Sequence, residues 1–222
     1  MLGLTRDPAR KRNQYIKRGL KVSPLFYLIK NYIMKNKQYR KPRSGEVVRL
    51  SRYFKDINLV ADYLQKEFVG NTIFVKTRTK QLRLNLNKSN YMHLCGILYQ
   101  RGAKNYFEDA LSNKLDLARM LIKKDGSTFS KLSMLGLIPN LFDEKLELTH
   151  SGKYFYLQFD HSIRTSSQRF AIALRDRGTI SYPVSFLNLR YEQGFSHGQK
   201  IETIYAVNKQ THRIKPLKGI NK

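Results

Sequence analysis

Residues 170–188, FAIALRDRGTISYPVSFLN, decide how this chain folds. Phe170, Ile172 and Leu174 alternate with Ala171 and Ala173, the period of two that marks a β-strand. Asp176-Arg177-Gly178 is a tight turn, and 179–188 reads as the returning strand. Pro183 removes one ladder donor, which implies an edge or a bend in that strand. Working outward, Leu146 and Leu148 alternate, as do Tyr154, Tyr156 and Gln158 with Phe155, Leu157 and Phe159, and 200–208 supplies another strand. Short turns join these segments, which favours an antiparallel meander of about five strands.

The chain before this region looks helical, with one exception. Asp56 caps a helix expected over 57–68, in which Ile57, Leu59, Val60, Tyr63, Leu64 and Phe68 are apolar and which Gly70 stops. The exception is 72–87, where Leu82, Leu84 and Leu86 alternate with polar residues, a hairpin turning near Thr79-Lys80. From Ser89 to about Leu141 the pattern is again helical. Ser89 or Asn90 caps YMHLCGILYQ, Gly102 breaks it, and further helices are expected over Ala103–Leu111, 115–123 and 128–138. Helices followed by an antiparallel sheet make an α+β fold.

Charge supplies the functional clue. The 222 residues carry 42 Lys+Arg against 16 Asp+Glu, a formal net charge of +26. The hydrophobic fraction of 41% supports a real core, so a disordered basic tail is excluded. Such an excess fits a polyanionic partner, nucleic acid first. Residues 1–55 hold 16 Lys/Arg and only Asp7 and Glu46 as acids, so more than half the excess sits in a quarter of the chain. Residues 1–45 are therefore expected to form a basic N-terminal arm, and 46–222 the main domain. Arg10, Lys11, Arg12, Lys41 and Arg43 are the arm's candidate phosphate contacts. Ser23-Pro24 caps one amphipathic helix within it, over about 24–36. The alternative is a solvated charged linker around that helix.

Several chemistries find no support in the residues. Single Cys95 excludes an intramolecular disulfide framework and a cysteine-clustered zinc site. The N-terminus lacks an apolar signal region, and no window approaches about 18 uninterrupted apolar residues, so a cytoplasmic protein without a transmembrane segment is expected. There is no phosphate-cradling glycine loop, no HExxH and no nucleophile elbow. Asp160, Asp176, Glu192 and Glu202 show no paired spacing, and His150 and Asp160-His161 read as polar hairpin ends rather than metal ligands. Neither metal nor cofactor is expected.

What remains suits metal-free phosphodiester cleavage: an imidazole, cations and hydroxyls beside a basic surface. RNA carries its own nucleophile, the 2′-OH, and needs a base, a cation and an acid. His93, in the first turn of its helix, is the candidate base, because helix dipole and positive field disfavour its imidazolium. A half-buried helix histidine is the plain alternative. Arg164-Thr165-Ser166-Ser167-Gln168-Arg169, read as a connection between strands, offers Arg164 and Arg169 as transition-state cations and Ser166 and Ser167 as phosphate hydroxyls, or else is only a turn. Ser185 either faces a groove or ends a strand. Lys76, Arg78, Lys80 and Arg83 form the basic outer face of the hairpin. His197, in Gly194-Phe195-Ser196-His197-Gly198, either meets His93 across one groove or stays in solvent.

The order of Tyr91-Met92-His93-Leu94-Cys95-Gly96-Ile97, Ala103–Leu111, Lys131-Leu132, Phe155–Phe159, Ala171–Leu174 and Tyr182-Pro183-Val184-Ser185-Phe186-Leu187-Asn188 resembles the fourth phage-associated family of barnase–EndoU–colicin–RelE-like nucleases. The resemblance covers about residues 70–190. It implies helices followed by a roughly four-stranded antiparallel sheet, and metal-independent RNA cleavage in phage, prophage or toxin settings. It supports His93 and Ser185, and Lys131 beside them, whereas Cys95 stands where the family has Thr. RNA is thus the expected partner of a ribonuclease in a bacterial host cytoplasm or a virion. DNA, a phage or ribonucleoprotein assembly and an immunity protein are the other partners considered. The alternative function is a non-catalytic nucleic-acid-binding or assembly protein that keeps the fold.

Overall fold

The computed structural model describes residues 38–167, 169–190, 192 and 194–218. The expected helix over 24–36 and the candidates Arg10, Lys11 and Arg12 lie outside the described residues.

The hairpin at 72–87 forms as its alternation requires. Strands β2 (Asn71–Thr77) and β3 (Gln81–Leu84) pair antiparallel, with Ile73, Val75, Leu82 and Leu84 buried and Lys76, Arg83 and Gln81 exposed. Its partners overturn the expected fold class. Strand β12 (Gln199–Asn208) pairs along β2, setting Ile204 opposite Val75 and Tyr205 opposite Phe74. Strand β11 (Ile180–Asn188) meets β3 in parallel through Ser181 and Leu84. Then β10 (Phe170–Arg177), β9 (His161–Thr165) and β6 (Leu146–Thr149) follow in antiparallel order. Gln199 and Lys200 of β12 return to Leu148 and Glu147 of β6, closing the ring.

The result is a mixed seven-stranded barrel in the order β12-β2-β3-β11-β10-β9-β6, not helices followed by an antiparallel meander. Alternation in a sequence tells which side chains share a face, but not which strand lies alongside. The early hairpin therefore gave no sign that it would join the late strands. Strand β13 (Ile214–Lys218) continues along β12 beyond the short seam with β6.

Only five short α-helices occur among the described residues. The longest, α2 (Phe54–Glu67), follows α1 (Ser44–Ser51) and buries Ile57, Val60, Ala61 and Leu64. The helical reading of 89–141 is corrected in three places, the last being the helix expected over 128–138, which ends at Leu132 and is followed by a separate 3-10 turn over Leu135–Leu137. Helix α3 (Asn90–Leu94) stops after five residues because Gly96, at φ +68°, turns the chain into strand β4 (Ile97–Tyr99). After α4 (Ala103–Leu111), the segment expected as helix 115–123 becomes a single 3-10 turn and strand β5 (Met120–Lys123). Strand β5 pairs with β4 and with β1 (Tyr39–Arg40), and α5 (Ser127–Leu132) follows. The compact unit begins at Tyr39.

The inward faces of the barrel strands and the helices share one core. Ile73, Val75, Leu84, Ile163, Phe170, Ile172, Leu174 and Ile204 meet Ile57, Leu64, Tyr91, Leu94, Tyr106 and Phe107 there. Tyr91 stays satisfied in that core, its hydroxyl donating to the Ile57 carbonyl at 2.6 Å. Beyond Ser181, α3 and α5 pack against β11. Ala171, Ala173 and Leu187 face the other way, under Phe159, Leu189 and Phe195. The hairpin of β7 (Gly152–Tyr154) and β8 (Leu157–Phe159) contributes Phe159 to this second cluster, so β10 is buried on both sides. Pro183 lies where the β10–β11 register jumps between Ala173 and Leu174, the bend its missing donor implies.

Candidate active site at the barrel seam

Where β12 closes on β6, the polar residues of the outer face gather. Glu147 and Arg164 are cross-strand neighbours on β6 and β9, and Lys200 opposes Glu147 from β12. Arg164 is no loop residue: it lies within β9 and is fully buried. Its Nη1 donates to the carbonyls of Phe195 (2.9 Å) and Ser196 (3.0 Å), and its Nε lies 3.6 Å from Glu147 Oε2. Its Nη2 is buried with no hydrogen-bond partner among the described residues. The 194–198 loop is thus pinned over the sheet by a guanidinium.

That pinning brings His197 to Glu147. His197 Nδ1 is 3.5 Å from Glu147 Oε2, with the imidazole 75% exposed and the carboxylate 16% exposed. Glu147 Oε2 also accepts from the Gly198 N–H at 3.1 Å. Burial alone would raise the Glu147 pKa. The Gly198 N–H, Arg164, the Ser166 hydroxyl and His197 outweigh it and hold the carboxyl below its ordinary range. Gly198 itself is required by the seam, since a Cβ there would overlap the Leu148 carbonyl. The cluster therefore presents an ionised carboxylate, an exposed imidazole and the exposed Lys200 side by side.

The remaining expected residues do not all join this cluster. Ser166 reaches Glu147, whereas Ser167 accepts from Arg169 Nε at 3.2 Å and Arg169 pairs with Glu144. Ser185 lies on the same sheet face, two strands from Ser162 through Ala173, but is buried and donates to the Phe186 carbonyl at 3.2 Å. His93 is exposed on α3. The turn that follows it is fixed by α5: Thr128 Oγ1 donates to the Gly96 carbonyl at 2.6 Å, and the Lys131 side chain runs across Gly96. Burial and the nearby Lys123 lower the Lys131 pKa to about 8. Burial pushes the Cys95 thiol up to about 12, so it is no thiolate nucleophile.

Two other features complete the inventory. At one end of the barrel, His161 Nε2 lies 3.0 Å from Lys80 Nζ and 3.2 Å from Asp176, whose carboxylate accepts from the Ser181 hydroxyl at 2.6 Å. A cleft of about 550 Å³ opens between α1, α5 and the end of β11, lined by Glu46, Arg49, Phe129, Ser130, Asn188 and Arg190. Lys76, Arg78 and Lys80 are exposed with Arg83 on the β2–β3 hairpin, as their alternation requires. Lys41 and Arg43 are exposed just before α1, where the Arg43 N–H donates to Glu46 at 2.8 Å. Among the described residues no three His, Cys, Asp or Glu gather as metal ligands would. No described helix is long and apolar enough to cross a membrane.

Sequence reasoning missed Glu147 and Lys200. The signal for Glu147 was present in the Leu146–Leu148 alternation, which places it on the opposite face from the core. Nothing in the sequence announced that the segment from His197 to Lys200 would close beside it. No curated protein and no solved structure matches the chain. A family model does match, over residues 56–220, described as phage-Barnase-EndoU-ColicinE5/D-RelE like nuclease4. The match takes in the whole barrel from β2 to β13, the seam included, and the chain belongs to that family of phage-associated nucleases.

Proposed function

We propose that the chain is a metal-independent endoribonuclease that works at the seam, cleaving RNA by attack of the 2′-OH on the adjacent phosphate. Membership in a nuclease family implies a nucleic-acid substrate in general, and one observation carries the finer reading. An ionised carboxylate and an exposed imidazole stand 3.5 Å apart, held together by a buried arginine. Glu147 takes the 2′-OH proton, the 2′-oxygen bonds to phosphorus, and the bond from phosphorus to the 5′-oxygen breaks. His197, entering as imidazolium, gives its proton to that leaving oxygen. Lys200 opposes the negative charge that builds on the phosphate. Arg164 acts through Glu147 and the 195–196 carbonyls and is a positioning residue, because its burial keeps it from the phosphate.

A second reading keeps His93 as the base, assisted by Lys131, whose half-buried amine crosses the turn after α3 and has a pKa near neutrality, about 8. Labelled RNA and matched DNA, incubated with the full chain in EDTA, separate the readings. The seam reading expects a 2′,3′-cyclic phosphate from RNA only. Glu147→Gln and His197→Ala should each lower the rate by about 10²–10⁴-fold. Loss with His93→Ala and retention with His197→Ala would move the chemistry to α3. DNA cleavage would refute 2′-OH attack, and salt-sensitive binding without product would leave a binding module.

A further inference from the structure

Outside the seam, the face of the barrel formed by β12, β2 and β3 carries a row that the cleavage chemistry does not use. Tyr205, Phe74 and Arg83 are register partners on three adjacent strands. All three point away from the core, because their neighbours Ile73, Val75, Leu82, Leu84, Ile204 and Ala206 fill it. The two rings lie parallel, 5.0 Å apart at 3°. Arg83 sits over Phe74 at 5.9 Å, and Lys76 sits over Tyr205 at 5.5 Å. Both rings are only half-buried, and both cations are exposed. Aromatic cross-strand pairs stabilise a sheet by themselves; what sets this one apart is that the stack is half-exposed and is continued on the β3 side by the exposed guanidinium plane of Arg83.

We infer that this row is a platform for unpaired bases, so that the protein engages single-stranded rather than duplex RNA. Bases stack on aromatic and guanidinium planes, and every base has such a face, whereas a paired base inside a helix does not offer it. Charge agrees with the occupant. The charged residues of these three strands are Lys76, Arg83, Lys200 and Glu202, and Arg78 and Lys80 add two cations at the hairpin turn. The spacing agrees as well. Tyr205 follows Lys200 on β12 by five residues, about 16 Å of strand, and the register shift between Ile201 and Thr203 lets both face outward although their spacing is odd, so one exterior face leads from the platform to the seam. This inference rests on RNA being the substrate, but it concerns how the strand is held rather than how it is cut.

The test is binding, read apart from cleavage. A fluorescent 12-nucleotide 2′-O-methyl RNA has no 2′-OH to attack, so the wild-type chain holds it without cutting. Anisotropy titrations compare that single strand with the same strand in a blunt duplex. The platform predicts tighter binding of the single strand. Phe74→Leu and Tyr205→Leu should each weaken it by roughly 5- to 150-fold, the stacking contribution of one base, and leave duplex binding unchanged. Tyr205→Phe, which keeps the ring, should retain affinity and shows that a loss is not a folding defect. Equal losses for single strand and duplex, or no loss in either leucine variant, would overturn the platform. If ordinary RNA is not cut while this pattern of binding holds, the cleavage reading fails and the platform stands.

Discussion

Replacing Arg164 with methionine removes a guanidinium that is fully buried yet keeps most of its stem volume. Four interactions go with it: the bonds to the Phe195 and Ser196 carbonyls at 2.9 and 3.0 Å, the Nε bond to the Thr165 carbonyl at 3.4 Å and the 3.6 Å approach to Glu147. Breaking a buried ion pair from one side costs about 3–5 kcal/mol. Glu147 keeps the Gly198 N–H and is 16% exposed, so the lower end applies, about 3 kcal/mol. For a unit of this size that is a drop of roughly 6–12 °C in Tm. The unpartnered Nη2 argues in the other direction for the pair as a whole, since desolvating it is not offset. Removing both charges should therefore hurt less than the sum of the parts. In a double-mutant cycle, Arg164→Met with Glu147→Gln should recover at least about 1 kcal/mol over additivity. Acid titration gives an independent reading. Glu147 is held below its unfolded pKa, so it stabilises the fold above that value, and the benefit is lost as pH falls through the folded value. That acid limb should weaken in Arg164→Met. Urea denaturation of the four proteins across pH measures all of this. Wild-type stability in Arg164→Met, or strict additivity in the cycle, would refute the account of the seam.

Three further outcomes follow from the packing. Gly198→Ala drives a Cβ into the Leu148 carbonyl, so it should cost about 1–3 kcal/mol in thermal melts and speed amide exchange at the β6–β12 pairing. Lys131 has a folded pKa of about 8, below the unfolded lysine value of about 10.4, so the unfolded chain binds the extra proton between them. Stability contributed by this site should rise with pH over that window, and Lys131→Met should flatten the rise in urea midpoints. Cys95, fully buried with its thiol pushed up to about 12, should resist iodoacetamide at pH 8 in the native protein and take up one equivalent in urea.

Local physics was legible in the sequence, and long-range pairing was not. The β2–β3 hairpin, helices α2 and α4 and the β10–β11 hairpin all follow from period and turn residues, because each is decided within about twenty consecutive positions. Residues 89–123 are ambiguous because the strands Ile97–Tyr99 and Met120–Lys123 are too short for their period of two to stand out between helical runs. Only Gly96, adopting a positive φ, settles the difference, and a glycine in sequence does not announce its φ. The barrel needed pairings between positions such as Ile204 and Val75, which no local pattern encodes. The site shows the same division. Ser166, Arg164 and His197 stand out in the sequence by their chemistry, and the structure brings all three to Glu147, which in the sequence is only one polar residue between two core leucines.

Closure of the barrel by two residues of β12 has a consequence for synthesis. Glu147 leaves the ribosome about fifty residues before His197, and the two become neighbours only when Gln199 and Lys200 zip onto β6. A chain cut short before that strand lacks the pairing that sets the imidazole beside the carboxylate. The cluster thus assembles late relative to Glu147: a nascent chain that has not reached β12 has not yet formed the pair.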